Sequence, residues 1–269
     1  MTPLWKPILE RQREANLTNF VQQNAATGNY GATFAYGALH RWSLEHPQDF
    51  WSAVWDFCAV IGEKGERILV DGDKMPGARW FPEAKLNFAE NLLKRDDQGD
   101  AFVFWDERGF QRRVSYSSLT SDVSRAQQAL KQLGLRPGDR AAAFIPNMPE
   151  TGMLALAALA DGIVWSSCSP DFGSSGVLDR FSQIEPKILF VADGYRYGGR
   201  EFDVLERGAQ IAEGLPSLRK IVVVPHLHAR PDVSEIPKAV LLDEVQYLLY
   251  GLLGSIGLEL DNHGFTPAA

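Results

Sequence analysis

The sequence predicts an α/β protein: a parallel, layered sheet with helices, preceded by a helical extension rich in tryptophan. Three observations carry this expectation. Up to about Asp100 the apolar residues recur at helical spacing, and five tryptophans gather there (Trp5, Trp42, Trp51, Trp55 and Trp80). From Ala101 onward, short apolar runs alternate with helix-patterned segments, the rhythm of parallel crossovers. The 269 residues are 45% hydrophobic and 23% charged, an ordinary globular composition with length enough for a sizeable core.

In the extension, Phe50, Trp51, Val54, Trp55 and Cys58 fall on one face of a helix and are expected to be buried. A second helical segment, opening near Pro82, is expected across Trp80-Phe-Pro-Glu-Ala-Lys-Leu-Asn-Phe-Ala-Glu-Asn-Leu-Leu93. The charged stretch Lys94 to Asp100 marks a boundary, so residues 1–97 are read as the extension, 98–242 as the sheet-forming part and 243–269 as a tail. Ala101–Trp105 and Gln111–Tyr116, joined by Asp106 to Gly109, read as a hairpin. Ser117 then suits an N-cap for a helix carrying Leu119, Val123, Ala126, Leu130 and Leu133, ended by Gly134. Strands are expected at Arg140–Ile145, Ile163–Cys168, Lys187–Val191 and Lys220–Val224, all in one sheet. Helices are expected at Pro149–Gly162, Val177–Ile184 and Val204–Glu213. Val245 to Leu258 is a glycine-broken leucine stretch that reads as peripheral structure.

Charge and cysteine usage exclude several classes. With a net charge of −7 and no basic stripe, the chain repels a nucleic-acid backbone, and an anionic ligand needs a local arginine site. Cys58 and Cys168 match no zinc-ligand or redox spacing, so a reduced thiol pair and no structural metal are expected. Met1 to Phe20 carries Glu10 and Glu14 and has no apolar core of signal-peptide type, and no apolar run reaches membrane-spanning length. A soluble, cytoplasmic protein without nucleic-acid or membrane partners is the expectation.

Parallel sheets bind ligands where loops leave the carboxyl ends of strands. Three such loops stand out: Ile145 to Glu150, Ser169 to Gly176 and Asp193 to Arg200. Gly173, Ser174, Ser175 and Gly176 suit either a phosphate cradle or a tight connection with a serine cap. Arg196 and Arg200 flank Tyr195, Tyr197, Gly198 and Gly199, which suits a phosphorylated nucleotide in a flexible loop or a solvated polar turn. Asp171-Phe-Gly173 matches the kinase magnesium triplet without its companion loops, and no Walker, Gly-x-Gly-x-x-Gly or Gly-x-Ser-x-Gly motif occurs. His226 and His228 form a close pair without a third ligand nearby, and Cys168 reads as a small buried residue. These residues alone identify no reaction.

Val114-Ser-Tyr-Ser-Ser-Leu119, Gly134-Leu-Arg-Pro-Gly-Asp-Arg140, Ile145-Pro-Asn-Met-Pro-Glu150 and Ala157 to Val164 together resemble the first third of the adenylate-forming acyl-CoA synthetase and luciferase superfamily. Trp80 to Asn91 resembles the N-terminal extension of its acetyl-CoA synthetase branch. Trp165-Ser-Ser-Cys-Ser-Pro-Asp-Phe-Gly173, Arg180 to Lys187 and Phe190 to Arg196 are similar to the acetoacetyl-CoA synthetases within that branch. The likeness runs from about Pro3 to Leu242.

The resemblance implies the N-terminal subdomain of the adenylate-forming fold. It also implies a ligase that activates acetoacetate with ATP and Mg2+, then transfers the acyl group to coenzyme A. By the same resemblance, Arg196 and, with a one-residue offset, Arg200 would meet coenzyme A phosphates, and Phe172 and Gly173 would lie near the pantetheine path. No catalytic residue carries over. The family's Ser/Thr/Gly-rich phosphate loop ending in Pro-Lys, its adenine and ribose motifs and its catalytic lysine are not found in these residues, and the tail from Glu244 resembles nothing in the family. The expectation is therefore a truncated, inactive piece that self-associates through surfaces left uncovered. Its rivals are a non-catalytic coenzyme-binding or dimerising module and an acetate or propionate synthetase; a dinucleotide-binding oxidoreductase lacks its glycine fingerprint.

Overall fold

A five-stranded parallel sheet forms where short apolar runs alternate with helix-patterned segments. The computed structural model describes residues 4–24 and 36–245, in two compact units, Met1–Leu86 and Asn87–Ala269. In the first, the helices are α1 (Leu9–Arg13), α2 (Asn16–Gln23), α3 (Tyr36–Glu45) and α4 (Pro47–Phe57), and β1 (Leu69–Val70) pairs antiparallel with β2 (Arg79–Trp80). Phe20, Val21, Leu39 and Trp42 form its core, against which Phe50, Ala53, Val54 and Phe57 pack. The face of α4 is thus only half-buried: Trp51 is exposed and Cys58, past the helix end, is exposed too.

The second unit begins with α5 (Phe88–Leu92), much shorter than the helix expected from Trp80. Trp80 belongs to β2, and Phe81 and Pro82 lie in a turn in which Phe81 takes a φ of +43°. The helix starts where a cap exists: Asn87 Oδ1 accepts the N–H groups of Ala89 and Glu90 at 3.0 and 3.2 Å. β3 (Asp100–Asp106) and β4 (Gly109–Ser115) make the expected hairpin. α6 (Tyr116–Gln132) is capped by Ser115 rather than Ser117, because Ser115 Oγ accepts the Ser118 N–H at 3.1 Å.

There follow β5 (Arg140–Phe144), α7 (Pro149–Ala160), β6 (Val164–Cys168), α8 (Ser174–Phe181), β7 (Ile188–Ala192), β8 (Gly194–Tyr197), β9 (Arg200–Asp203), α9 (Leu205–Glu213), β10 (Lys220–Val224) and β11 (Ala239–Leu241). The sheet order is β11-β10-β7-β5-β6, all parallel, so the four expected strands do share one sheet, with β11 as an unforeseen edge.

Alternation sorts the side chains of the inner strands. Ala141, Ala143, Ile188, Phe190, Val222 and Val224 face α6 and α7, while Ala142, Phe144, Leu189, Val191, Ile221 and Val223 face α8 and α9. Covering on both faces explains why β5, β7 and β10 are continuous apolar runs. The turn into β5 is fixed by Asp139: its Oδ2 accepts the Arg136 N–H at 2.9 Å and its Oδ1 lies 2.5 Å from Lys187 Nζ. Burial pushes that carboxyl upward, but Lys187 and the Arg136 amide outweigh it and hold it below the ordinary range. Among the described residues no helix is long and apolar enough to cross a membrane. The glycine-broken tail lies outside the described residues apart from its first member, Val245, which is buried.

Candidate functional site

The strand order reverses across the sheet: β6 lies on one side of β5 and β7 on the other. Loops leaving β5 and β7 therefore diverge over opposite faces, and a crevice opens between them at the carboxyl ends. A cleft of about 500 Å³ occupies this place. Its floor comes from the loops after β5 (Pro146, Asn147) and β6 (Ser169, Pro170, Asp171), and its walls from Trp105 to Glu107 of one hairpin and Tyr195 to Tyr197 of another.

Asp193 organises one wall. It immediately follows β7, has no exposed surface, and would be costly there without partners. Its Oδ1 accepts the N–H groups of His226 and Leu227 at 2.7 and 2.9 Å, and its Oδ2 accepts that of His228 at 2.8 Å. His228 Nδ1 also lies 3.1 Å from Oδ2. The two histidines thus part company: His228 sits on Asp193, whereas His226 lines the cleft with its ring 6.4 Å from Phe104. Burial, reinforced by the Arg196 charge, holds the His226 imidazole below its ordinary pKa and favours the neutral ring.

The segment Asp193 to Arg200, read as a flexible loop, is a β-hairpin: β8 and β9 pair with Arg196 opposite Glu201 and Tyr197 opposite Arg200. Gly198 and Gly199 take φ values of +60° and +72°, the left-handed pair that a two-residue hairpin turn requires. Tyr195 stacks on Phe202, ring centroids 5.0 Å apart. Arg196 is 13% exposed; its Nη2 lies 2.7 Å from Glu201 Oε1, and among the described residues its buried Nη1 has no hydrogen-bond partner. Charge-assisted donors of this kind suit an anionic oxygen.

The other residues singled out in the sequence stand beside the cleft and not in its lining. Arg200 is exposed across the turn from Tyr197. Phe172 is exposed under the Arg180 guanidinium, 4.9 Å from the ring centroid, and Gly173 is the N-cap of α8. The stretch Gly173 to Gly176 is thus the opening of a helix, with Ser174 Oγ donating to Gln210 Oε1 at 3.2 Å. Cys168 is buried, which raises its thiol pKa and leaves it a packing residue. Asn147 and Asp193 stand in loops that the sequence singles out but carry no role of their own there, and Glu107 has none in the hairpin connection; Asp193, a lone acid directly after an apolar strand, carries the clearest signal. Among the described residues no three His, Cys, Asp or Glu side chains gather as a metal site.

The family model described as AMP-binding enzyme matches residues 90–248, more than half of the chain, and that described as acetyl-coenzyme A synthetase N-terminus matches residues 36–92. The chain belongs to the AMP-binding enzyme family. Acetoacetyl-coenzyme A synthetase of Rhizobium meliloti (strain 1021) is 48% identical over 225 residues, covering 83% of this chain and 34% of that protein. Acetoacetyl-CoA synthetase of Xenopus tropicalis is 35% identical over 246 residues, 89% of this chain and 36% of the relative. The solved acetoacetyl-CoA synthetase of Streptomyces lividans superposes with a TM-score of 0.81 at 38% identity, covering 91% of this chain and 38% of the other. This family member therefore spans about a third of the length of the relatives it matches, and the match is to their N-terminal part.

Proposed function

We propose that this chain forms the coenzyme A end of an acetoacetate–CoA ligase, which turns ATP, acetoacetate and coenzyme A into AMP, pyrophosphate and acetoacetyl-CoA. The observation that carries the reading is the cleft at the strand switch point, with a buried arginine nitrogen that has no hydrogen-bond partner among the described residues, in a chain 48% identical over 225 residues to an acetoacetyl-CoA synthetase. The cleft suits the phosphate end of the coenzyme. At 4 Å and an effective dielectric near 20, a phosphate charge beside Arg196 gains at most about 4 kcal/mol before desolvation, enough to offset the acidic balance of the whole chain. Arg200, on the same hairpin, adds a second cation at the rim, and Phe172 and Gly173 flank the route from the β6 loop along which pantetheine would run. Residues 1–97 act as the extension and 98–242 as the first part of the adenylation domain in this proposal, with the protein cytoplasmic.

Adenylation needs preorganised contacts to the ATP phosphates and to Mg2+. These 269 residues carry no Ser/Thr/Gly-rich loop ending in Pro-Lys, and the described ones offer Mg2+ no ligand cluster. Mixed with ATP, magnesium, acetoacetate and coenzyme A, this chain alone is expected to release no pyrophosphate above a blank. Coenzyme A is expected to bind weakly, less so as salt rises, and not at all after R196A combined with R200A. Acetoacetate-dependent pyrophosphate release would overturn the assignment of activation to other residues. Coenzyme binding indifferent to both substitutions would overturn the site.

A further inference from the structure

One carboxylate fastens the two hairpins that border the cleft. Glu107 occupies the two-residue turn between β3 and β4, and its Oε1 and Oε2 accept the N–H groups of Gly198 and Gly199 at 2.7 and 2.8 Å. Because both glycines are left-handed, their amides point to one side, a backbone concavity that suits an anion. Here the anion belongs to the chain itself. Next to it Glu201 holds one side of the Arg196 guanidinium, so the donors of the β8–β9 hairpin are largely satisfied from within. Glu107, Arg196 and Tyr197 all line the same cleft.

We propose that Glu107 is a latch: its carboxylate takes the place of a ligand phosphate on the Gly198 and Gly199 amides, and a phosphate-bearing ligand entering the cleft displaces it. The ligand in this proposal rests on the coenzyme reading above, whereas the latch contact rests on the geometry alone. Glu107 is exposed, so a released carboxylate is taken up by water and its release uncovers no apolar surface. Its neighbour Arg108 is tied separately to Asp106, Nη2 to Oδ2 at 2.6 Å, which keeps the β3–β4 turn formed when the latch opens.

The test titrates coenzyme A into the 269-residue chain and its E107A and E107Q variants by calorimetry, and follows hydrogen exchange at Gly198 and Gly199 by NMR. E107A is expected to bind about three- to tenfold tighter than the unaltered chain, because a competing like charge is gone, with E107Q between them. The two glycine amides are expected to be protected in the unaltered chain and unprotected in E107A. Equal or weaker binding by E107A overturns the latch and makes Glu107 a support for the hairpin; unprotected amides in the unaltered chain overturn it as well. If no chain binds coenzyme A, the coenzyme reading fails by itself, and inorganic pyrophosphate becomes the probe. Loss of amide protection on adding pyrophosphate then upholds the displacement, and unchanged protection overturns it.

Discussion

Replacing Asp193 by alanine removes a carboxylate with no exposed surface that accepts three backbone N–H groups from His226, Leu227 and His228. Hydrogen bonds to a charged group are worth about 1.5–3 kcal/mol each. The donor loop is half-buried at His226 and Leu227 and exposed at His228, so its amides recover part of that loss from water. A net loss of about 3–5 kcal/mol is therefore expected for D193A. For a unit of this size each kcal/mol lowers the midpoint by roughly 2–4 °C, which gives a fall of about 6–20 °C in a thermal melt followed by near-ultraviolet circular dichroism. D193N keeps the shape and one acceptor oxygen, but its amide nitrogen meets the His228 N–H donor to donor, so a loss of about 2 kcal/mol is expected. A D193A loss below about 1 kcal/mol, measured by guanidinium unfolding, would refute the view that this carboxylate holds the His226 loop against the cleft.

Gly194→Ala is expected to disrupt the hairpin, because a Cβ there would stand 2.4 Å from the Phe202 carbonyl oxygen and 2.3 Å from a Leu227 methyl; an unchanged melt and unchanged coenzyme binding would count against it. His226 gives a pH signature. Its folded pKa lies below its unfolded one, through burial first and then Arg196, opposed by Asp193, Asp106 and Glu150. The unfolded chain takes up a proton as pH falls through about 6.5 while the folded chain does not, so stability is full above that pH and declines below it until the folded pKa is passed. His226→Gln should flatten that part of the stability profile, and an unaltered slope would contradict the assignment. Val164 on the β6 edge and Trp105 and Phe110 on the β3–β4 hairpin are exposed, so the purified chain should self-associate or bind hydrophobic dyes. A monomeric chain with no dye binding at high concentration would remove that expectation.

The sheet was legible in the sequence because β5, β7 and β10 are buried on both faces, and such burial leaves nothing but apolar residues to read. β11, three residues long and paired only at one edge, left no such pattern. The β8–β9 hairpin was hidden by its own chemistry. Its arginines and tyrosines look like loop residues, and only Gly198-Gly199 between Tyr195 and Phe202 announced a hairpin turn. The start of α5 differs from the expected one because helical spacing continues back through Phe81 and Pro82, where the backbone turns instead. At the cleft, Arg196 could be named from its neighbours, since guanidinium beside aromatic rings is a local signature. Asp193 stands out as a lone acid after an apolar strand, but its partners, 33 to 35 positions away, do not, and Glu107 lies 91 and 92 positions from the glycines it holds, so only the fold brings them together.

An amide-resolved NMR titration of the labelled 269-residue chain with coenzyme A addresses the cleft most directly. Saturable shifts confined to the cleft and the hairpin turn beside it, at Asn147, Asp171, Tyr195, Arg196, Tyr197, Gly198, Gly199 and His226, are expected, and Arg196→Ala should abolish them. Shifts centred elsewhere, or cleft shifts that survive Arg196→Ala, would contradict the placement of the coenzyme phosphates at the carboxyl ends of these strands.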